Sequence, residues 1–119
     1  MNRIKIILIF ILLVNAKSLN GKSNLDFING LDDVPLLTNM NIVKDSLVIF
    51  DTNEGKYITT EIEGAIKLKD AESYYKDILP NLGWKIIEKN KYFRGEETLS
   101  IQFVQKKDVV NIIFNLIAN

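Results

Sequence analysis

Asp32-Asp33 and Glu96-Glu97 are the first residues in this chain to suggest chemistry, because two carboxylates suffice for general acid–base work. Glycoside hydrolysis, the reaction best served by such a pair, needs two acids converging across a cleft, roughly 5 to 9 Å apart. Neighbours in an extended segment point to opposite faces, so each pair reads as solvated turn acids. The stretch DTNEG, residues 51–55, resembles the start of a calcium loop, with Asp51 and Asn53 spaced by two. Such a loop wants glycine at its sixth position and a bidentate glutamate at its twelfth. Here the glycine is Gly55, one position early, and Ile62 stands where the glutamate belongs, so a hairpin turn explains the stretch. Ser46, Ser73 and Ser100 could each act with a desolvated lysine, but no glycine-rich elbow surrounds any of them. Neither G-x-G-x-x-G nor G-x-x-x-x-G-K-S/T occurs, which leaves phosphate cradling unsupported. Histidine and cysteine are absent. That composition removes the usual nucleophile–base pairs, zinc sites and redox dithiols. The expectation is a non-enzymatic protein with no catalytic residue, no cofactor and no metal site.

Two features could serve binding instead. Tyr57, Tyr74, Tyr75, Tyr92 and Phe93 supply the amphipathic aromatic surface that interfaces favour, although completing a core around one helix is the preferred account of them. The last apolar run, VVNIIFNLIA (109–118), places Val110, Ile112, Phe114 and Leu116 on one face and Asn111, Ile113, Asn115 and Ile117 on the other. At a sheet edge such a strand could pair with another chain. In the middle of a sheet the same residues would simply be buried, and burial is preferred.

The elements that position these residues begin after an export segment. MNRIK carries Arg3 and Lys5, the unbroken apolar run IILIFILLV follows, and Ala16 and Ser18 stand three and one positions before a cleavage point between Ser18 and Leu19. That is the three-part layout of a secretory signal peptide over residues 1–18. Nine helical residues rise only about 14 Å against a hydrocarbon core of about 30 Å, so an uncleaved inner-membrane anchor is the lesser alternative. Cleavage after Ala16, with Val14 three back, stays open. Removing residues 1–18 takes away three basic residues and no acid from a chain with 15 of each, which leaves a net charge of −3. No basic stripe remains for nucleic acid or anionic lipid. The absence of cysteine rules out both disulfides and a lipid-attachment site, so the core alone must hold the exported fold.

Residues 19–33 are mostly small and polar, and are expected to be flexible and irregular, docking on the core through Leu25, Phe27, Ile28 and Leu31. Residues 34–119 form the single domain. SLVIFDT (46–52) and KYITTEIEG (56–64) read as a hairpin, because apolar alternation flanks a glycine-containing turn. Ala71, Tyr74, Tyr75, Ile78, Leu79 and Leu82 recur at spacings of three and four, which predicts one helix over 69–82. Pro80 crowds the carbonyl of Lys76 and should kink or restart that helix, a further turn should end at Gly83, and Trp84 should open the next strand with its ring beneath the helix. Strands follow at 84–89, 91–94, 98–105 and 109–118. The predicted fold is α+β in two layers, one main helix on a curved, mostly antiparallel sheet, in the order β-β-α-β-β-β(-β).

The stretches LDFINGLDDVPLL, VIFDTNEGKYI, SYYKDILPNLGWK and YFRGEETLSIQF resemble a small exported α-proteobacterial protein family of unknown function. The resemblance runs from about Leu25 to Phe103. Its most specific part is the corner of Tyr75, Leu79, Pro80, Leu82, Gly83 and Trp84, with Val34-Pro35-Leu36 beside it. The chain departs in having Leu68-Lys69 where a small polar N-cap belongs. A helix ending in Leu-Gly-Trp on an antiparallel sheet is also similar, more distantly, to helix-grip modules of an outer-membrane-assembly lipoprotein, a likeness of fold that transfers no function. The family resemblance implies export and the fold, and carries over no catalytic residue. The functional expectation is a periplasmic, protein-binding module of the cell envelope. The alternative is a carrier of a small apolar or lipid-like ligand held between helix and sheet.

Overall fold

The structure is a computed structural model describing residues 25–119, so the expected export segment and the processing site at Ser18 and Leu19 lie outside the described residues. Among the described residues, one helix interrupts a run of strands. In chain order these are β1 (Phe27–Ile28), β2 (Leu31–Pro35), β3 (Asn41–Ile42), β4 (Val48–Thr52), β5 (Gly55–Gly64), α1 (Leu68–Asn81), β6 (Lys85–Glu88), β7 (Lys91–Arg94), β8 (Glu97–Gln105) and β9 (Val110–Ala118). The class is α+β, a mostly antiparallel sheet with one helix packed on it. The element order differs from the expected one, because three short strands precede the β4–β5 hairpin.

The main sheet runs β3-β5-β9-β8-β7-β6, and β4 also pairs with β5. All its pairings are antiparallel. The long strands β5 and β9 run side by side from Lys56↔Ala118 to Gly64↔Val110, and β8 flanks β9 from Glu97↔Ala118 to Gln105↔Val110. Strand β9 is therefore central, which answers the edge-or-centre question in favour of the centre. Period-two alternation sends Val110, Ile112, Phe114 and Leu116 to the face under α1, where all four are buried. The helix meets them with Ala71, Tyr75 and Leu79, and the Tyr75 ring stands edge-on to Phe114 at 5.3 Å.

Within the described residues, the N-terminal stretch is regular from Phe27 on, not irregular. Residues 27–35 fold into the antiparallel hairpin β1–β2, turned at Gly30. Its Ile28, Leu31 and Val34 join the same buried cluster as Tyr75, Trp84 and Phe114. The physical reason is spacing: the apolar residues occur every third position, which a short hairpin with a tight turn can direct inward together. The hairpin thus shares the helix side of the sheet with α1.

Helix α1 begins without a side-chain cap. Lys67 is extended, and the first bond is backbone only, from the Ala71 N–H to the Lys67 carbonyl at 3.0 Å. Asp70 in the first turn complements the helix dipole. At the other end the helix passes uninterrupted through Pro80 to Asn81, and no separate helical turn follows. Instead the chain closes at once. The Trp84 N–H donates to the Leu79 carbonyl at 3.1 Å and the Gly83 N–H to the Pro80 carbonyl at 3.2 Å, the paired bonds of a Schellman motif. Gly83 takes φ +94°, a conformation that side chains disfavour. Proline is tolerated in this last turn because only one intrahelical bond, to Lys76, is lost.

Candidate functional site

The corner residues Pro80, Gly83 and Trp84 build a structural clamp. Trp84 is 2% exposed, and its indole N–H donates to the Asp33 carbonyl at 3.4 Å, tying the corner to β2. Arg94 lies over the indole ring at 4.5 Å and reaches Asp33 and Glu97 through one nitrogen, at 2.7 and 2.9 Å. One member of each acid pair noted in the sequence therefore meets on a single guanidinium, and the result is a tether between hairpin and sheet. Burial lowers the pKa of Arg94, but its hydrogen bonds to Glu97 and Asp33 outweigh that and raise it overall. Tyr75 makes a second tether. Its hydroxyl donates to the Pro35 carbonyl at 2.7 Å and accepts from the Leu37 N–H at 3.2 Å, while burial pushes its pKa well above the ordinary tyrosine value.

The other sequence candidates separate by environment. Ser46 repairs a gap in the sheet edge between β3 and β4: its hydroxyl accepts from the Glu61 N–H at 3.1 Å and donates to the Glu61 carbonyl at 3.2 Å. Thr52 and Gly55 close the β4–β5 hairpin with a bond of 3.0 Å, which makes the DTNEG stretch a turn. Among the described residues no group of three metal-ligating side chains converges. Tyr75 and Tyr92 are core residues, whereas Tyr57 and Phe93 emerge on the far face of the sheet.

On that far face the register assembles a row that no sequence interval predicts. Phe50 stands opposite Tyr57, Tyr57 opposite Ile117, Ile117 opposite Thr98, and Thr98 opposite Phe93. Directly opposed residues share a face and touch, so these side chains form one band across β4, β5, β9, β8 and β7. Phe50 is 59% exposed, and Tyr57, Ile117 and Phe93 are exposed too. The Phe50 and Tyr57 rings lie 6.5 Å apart, and the Tyr57 hydroxyl donates to Asn115 at 3.0 Å, holding that ring against the sheet. A shallow depression of about 170 Å³ opens beside Phe50, Tyr57 and Ile117, large enough to take one apolar side chain. Further along the same face the Asn111 amide donates to Glu61, and its Oδ1 is buried without a hydrogen-bond partner among the described residues.

The sheet's free edges are β6 at one end and, at the other, β4 beside the two-residue β3, both paired with β5; β4 and β6 differ. In β4 every residue is exposed, Val48, Ile49 and Phe50 are consecutive apolar residues, and the pairing with β5 is regular from Val48↔Thr59 to Thr52↔Gly55. Strand β6 is also exposed, but its register with β7 shifts between Ile86 and Glu88. Such a bulge bends an edge and blunts it as a template, so β4 is the edge open to an added strand. Sequence reasoning singled out Tyr57 and Phe93 but missed Phe50, because only the pairing register reveals that it completes their row.

No protein-family model, curated protein or solved structure matches this chain. Among the described residues, no helix is long and apolar enough to cross a membrane.

Proposed function

We propose that this protein is an exported, non-enzymatic binding module of the cell envelope that takes an extended segment of a partner protein along β4. The observation that carries it is the fully exposed, unbulged β4 edge, continuous with the aromatic row on the outer face. Among the described residues β4 pairs with β5 alone, so its outer side presents backbone donors and acceptors in strand spacing. A strand added there would continue the sheet and set alternate side chains beside Phe50 and the depression next to Tyr57. What favours this reading over an enclosed lipid carrier is the filled space between α1 and the sheet, occupied by Tyr75, Leu79, Leu99 and Phe114. Export rests on the basic, apolar and small-residue pattern of residues 1–18.

The test places a photo-crosslinking amino acid at Val48 or Phe50 in the full chain, expressed in its native host, with Asp77 on the exposed side of α1 as the control. One discrete product from the β4 positions, absent from Asp77, supports the proposal. No product from β4, or the same products from all three positions, overturns it. Mass spectrometry of the purified protein checks export separately: the expected chain begins at Leu19. Full-length protein that stays in membranes after carbonate washing would replace the cleaved signal with an anchor.

A further inference from the structure

A second surface lies on the helix side of the molecule, away from β4. Helix α1 leaves Ile86 on β6 uncovered at the end of the inner face. Tyr92 on β7 is 3% exposed, whereas Ile86, its direct partner on β6, is 59% exposed. Between the helix and the β6–β7 hairpin this leaves a groove of about 430 Å³, open along one side and floored by Ile86 and Tyr92. That volume is within the range of small-molecule sites.

The rim is cationic. Lys69 and Lys76 lie seven residues apart on α1, two turns along one face, and Lys89 faces them from the β6–β7 turn. Glu72 is the one acid lining the groove, so the lining carries a net charge of +2 in a chain whose total is zero. The ion pairs found among the described residues both belong to Arg94, and none engages these lysines. Lysine stems lie along apolar surface while their ammonium heads stay mobile in water. Cations over an apolar floor match a ligand with an anionic head and a hydrocarbon tail. A bare anion would leave Ile86 in water, and a neutral lipid would leave the lysines without a counter-charge.

We infer that this groove binds a single-chain anionic amphiphile, a fatty carboxylate whose head is held by Lys69, Lys76 and Lys89 and whose first methylenes lie on Ile86 and Tyr92. The site is independent of the β4 edge and would function with or without a partner strand there.

Laurate, kept below its micelle concentration, is the probe. Titrated into the 15N-labelled full chain, it should shift the backbone amides of residues 69–76 and 86–92 saturably, and the affinity should fall as salt rises. Lys76→Glu combined with Lys89→Glu should weaken binding at least about tenfold, equivalent to about 1.4 kcal/mol. Ile86→Ser, a change at an exposed position with no change of charge, should weaken laurate while leaving acetate as ineffective as before. Dodecyltrimethylammonium, with the same tail and the opposite head, should give no saturable shift in the groove. The proposal is overturned if laurate shifts only the outer face around Phe50 and Phe93. It is equally overturned if the lysine double variant binds unchanged, or if acetate matches laurate.

Discussion

The two faces of the same sheet are built from neighbouring residues and have opposite fates. Along β9, Ile112, Phe114 and Leu116 are buried beneath α1, while Ile117, one residue further, is 45% exposed among aromatic neighbours. The inner face is covered twice, by α1 and by the β1–β2 hairpin, and each cover is fastened by a hydrogen-bonded aromatic, Tyr75 or Trp84. The outer face has no layer over it among the described residues, yet keeps a largely apolar row from Phe50 on β4 to Phe93 on β7. The difference teaches that stability in this molecule is concentrated on one side of the sheet. Residues on the other side are free to serve recognition at little cost to the fold.

That contrast can be broken at five residues. The largest effect is expected at Trp84→Ala, which removes a buried ring and the surface under Arg94, and should destabilise the fold by about 3 to 5 kcal/mol in urea unfolding. A variant melting within about a degree of the parent would move the indole out of the core and erase the distinction.

Next comes Tyr75→Phe, which leaves the Pro35 carbonyl and the Leu37 N–H without their partner and should cost about 1 to 3 kcal/mol. This residue also sets a pH dependence. Burial raises the pKa values of Tyr75, Tyr74 and Tyr92, so the folded protein keeps protons that the unfolded chain releases near pH 10. The unfolded state then binds fewer protons, and the tyrosines' contribution to stability, constant at lower pH, should fall as pH rises above about 10. Thermal melts across that range should show the fall, and Tyr75→Phe should reduce it. An identical decline in parent and variant would mean that Tyr75 is not the buried group.

A smaller effect is expected at Arg94→Lys. Its ion pairs are partly exposed and the ammonium cannot reproduce the stacking on Trp84, which together predicts a loss of about 1 kcal/mol. Amide exchange in β1–β2 should accelerate more than in β9, since the tether ends on Asp33. Equal acceleration everywhere would show that the hairpin is not a separately fastened cover.

The smallest effect on stability belongs to Phe93→Ser and Phe50→Ser, within about 0.5 kcal/mol for exposed positions. The same Phe50→Ser change should abolish crosslinking from Val48. Core-sized destabilisation by either substitution would show that the outer face is a second core.

Much of the secondary structure was legible locally. Period-two runs predicted β4, β5, β8 and β9, and spacings of three and four predicted α1, because a strand or helix imposes its geometry on consecutive residues. The β1–β2 hairpin was less visible, since its strands are too short for alternation to stand out from a polar segment. The close at Gly83 was foreseen, and its φ of +94° and the Schellman bonds match it; the separate turn expected after Pro80 is absent, because the helix runs through that residue to Asn81. The candidate surface was legible only in pieces: Tyr57 and Phe93 were noted as aromatics, without any sign that Phe50 and Ile117 stand in line with them.

Which residues of a strand face the same way is a property of the backbone pleat, and the order of amino acids sets it without help from the rest of the chain. So does the absence of histidine and cysteine, which limits the available chemistry before any folding occurs. Which strand lies at the edge depends on pairings between distant segments. Tyr57 and Asn115, joined by a hydrogen bond, are 58 residues apart. Folding placed β9 in the centre and β4 at the rim, because β5 and β8 could flank β9 on both sides while β4 found a neighbour on one side alone. The apolar alternation of β9 therefore became core, and the continuous apolar run of β4 became surface.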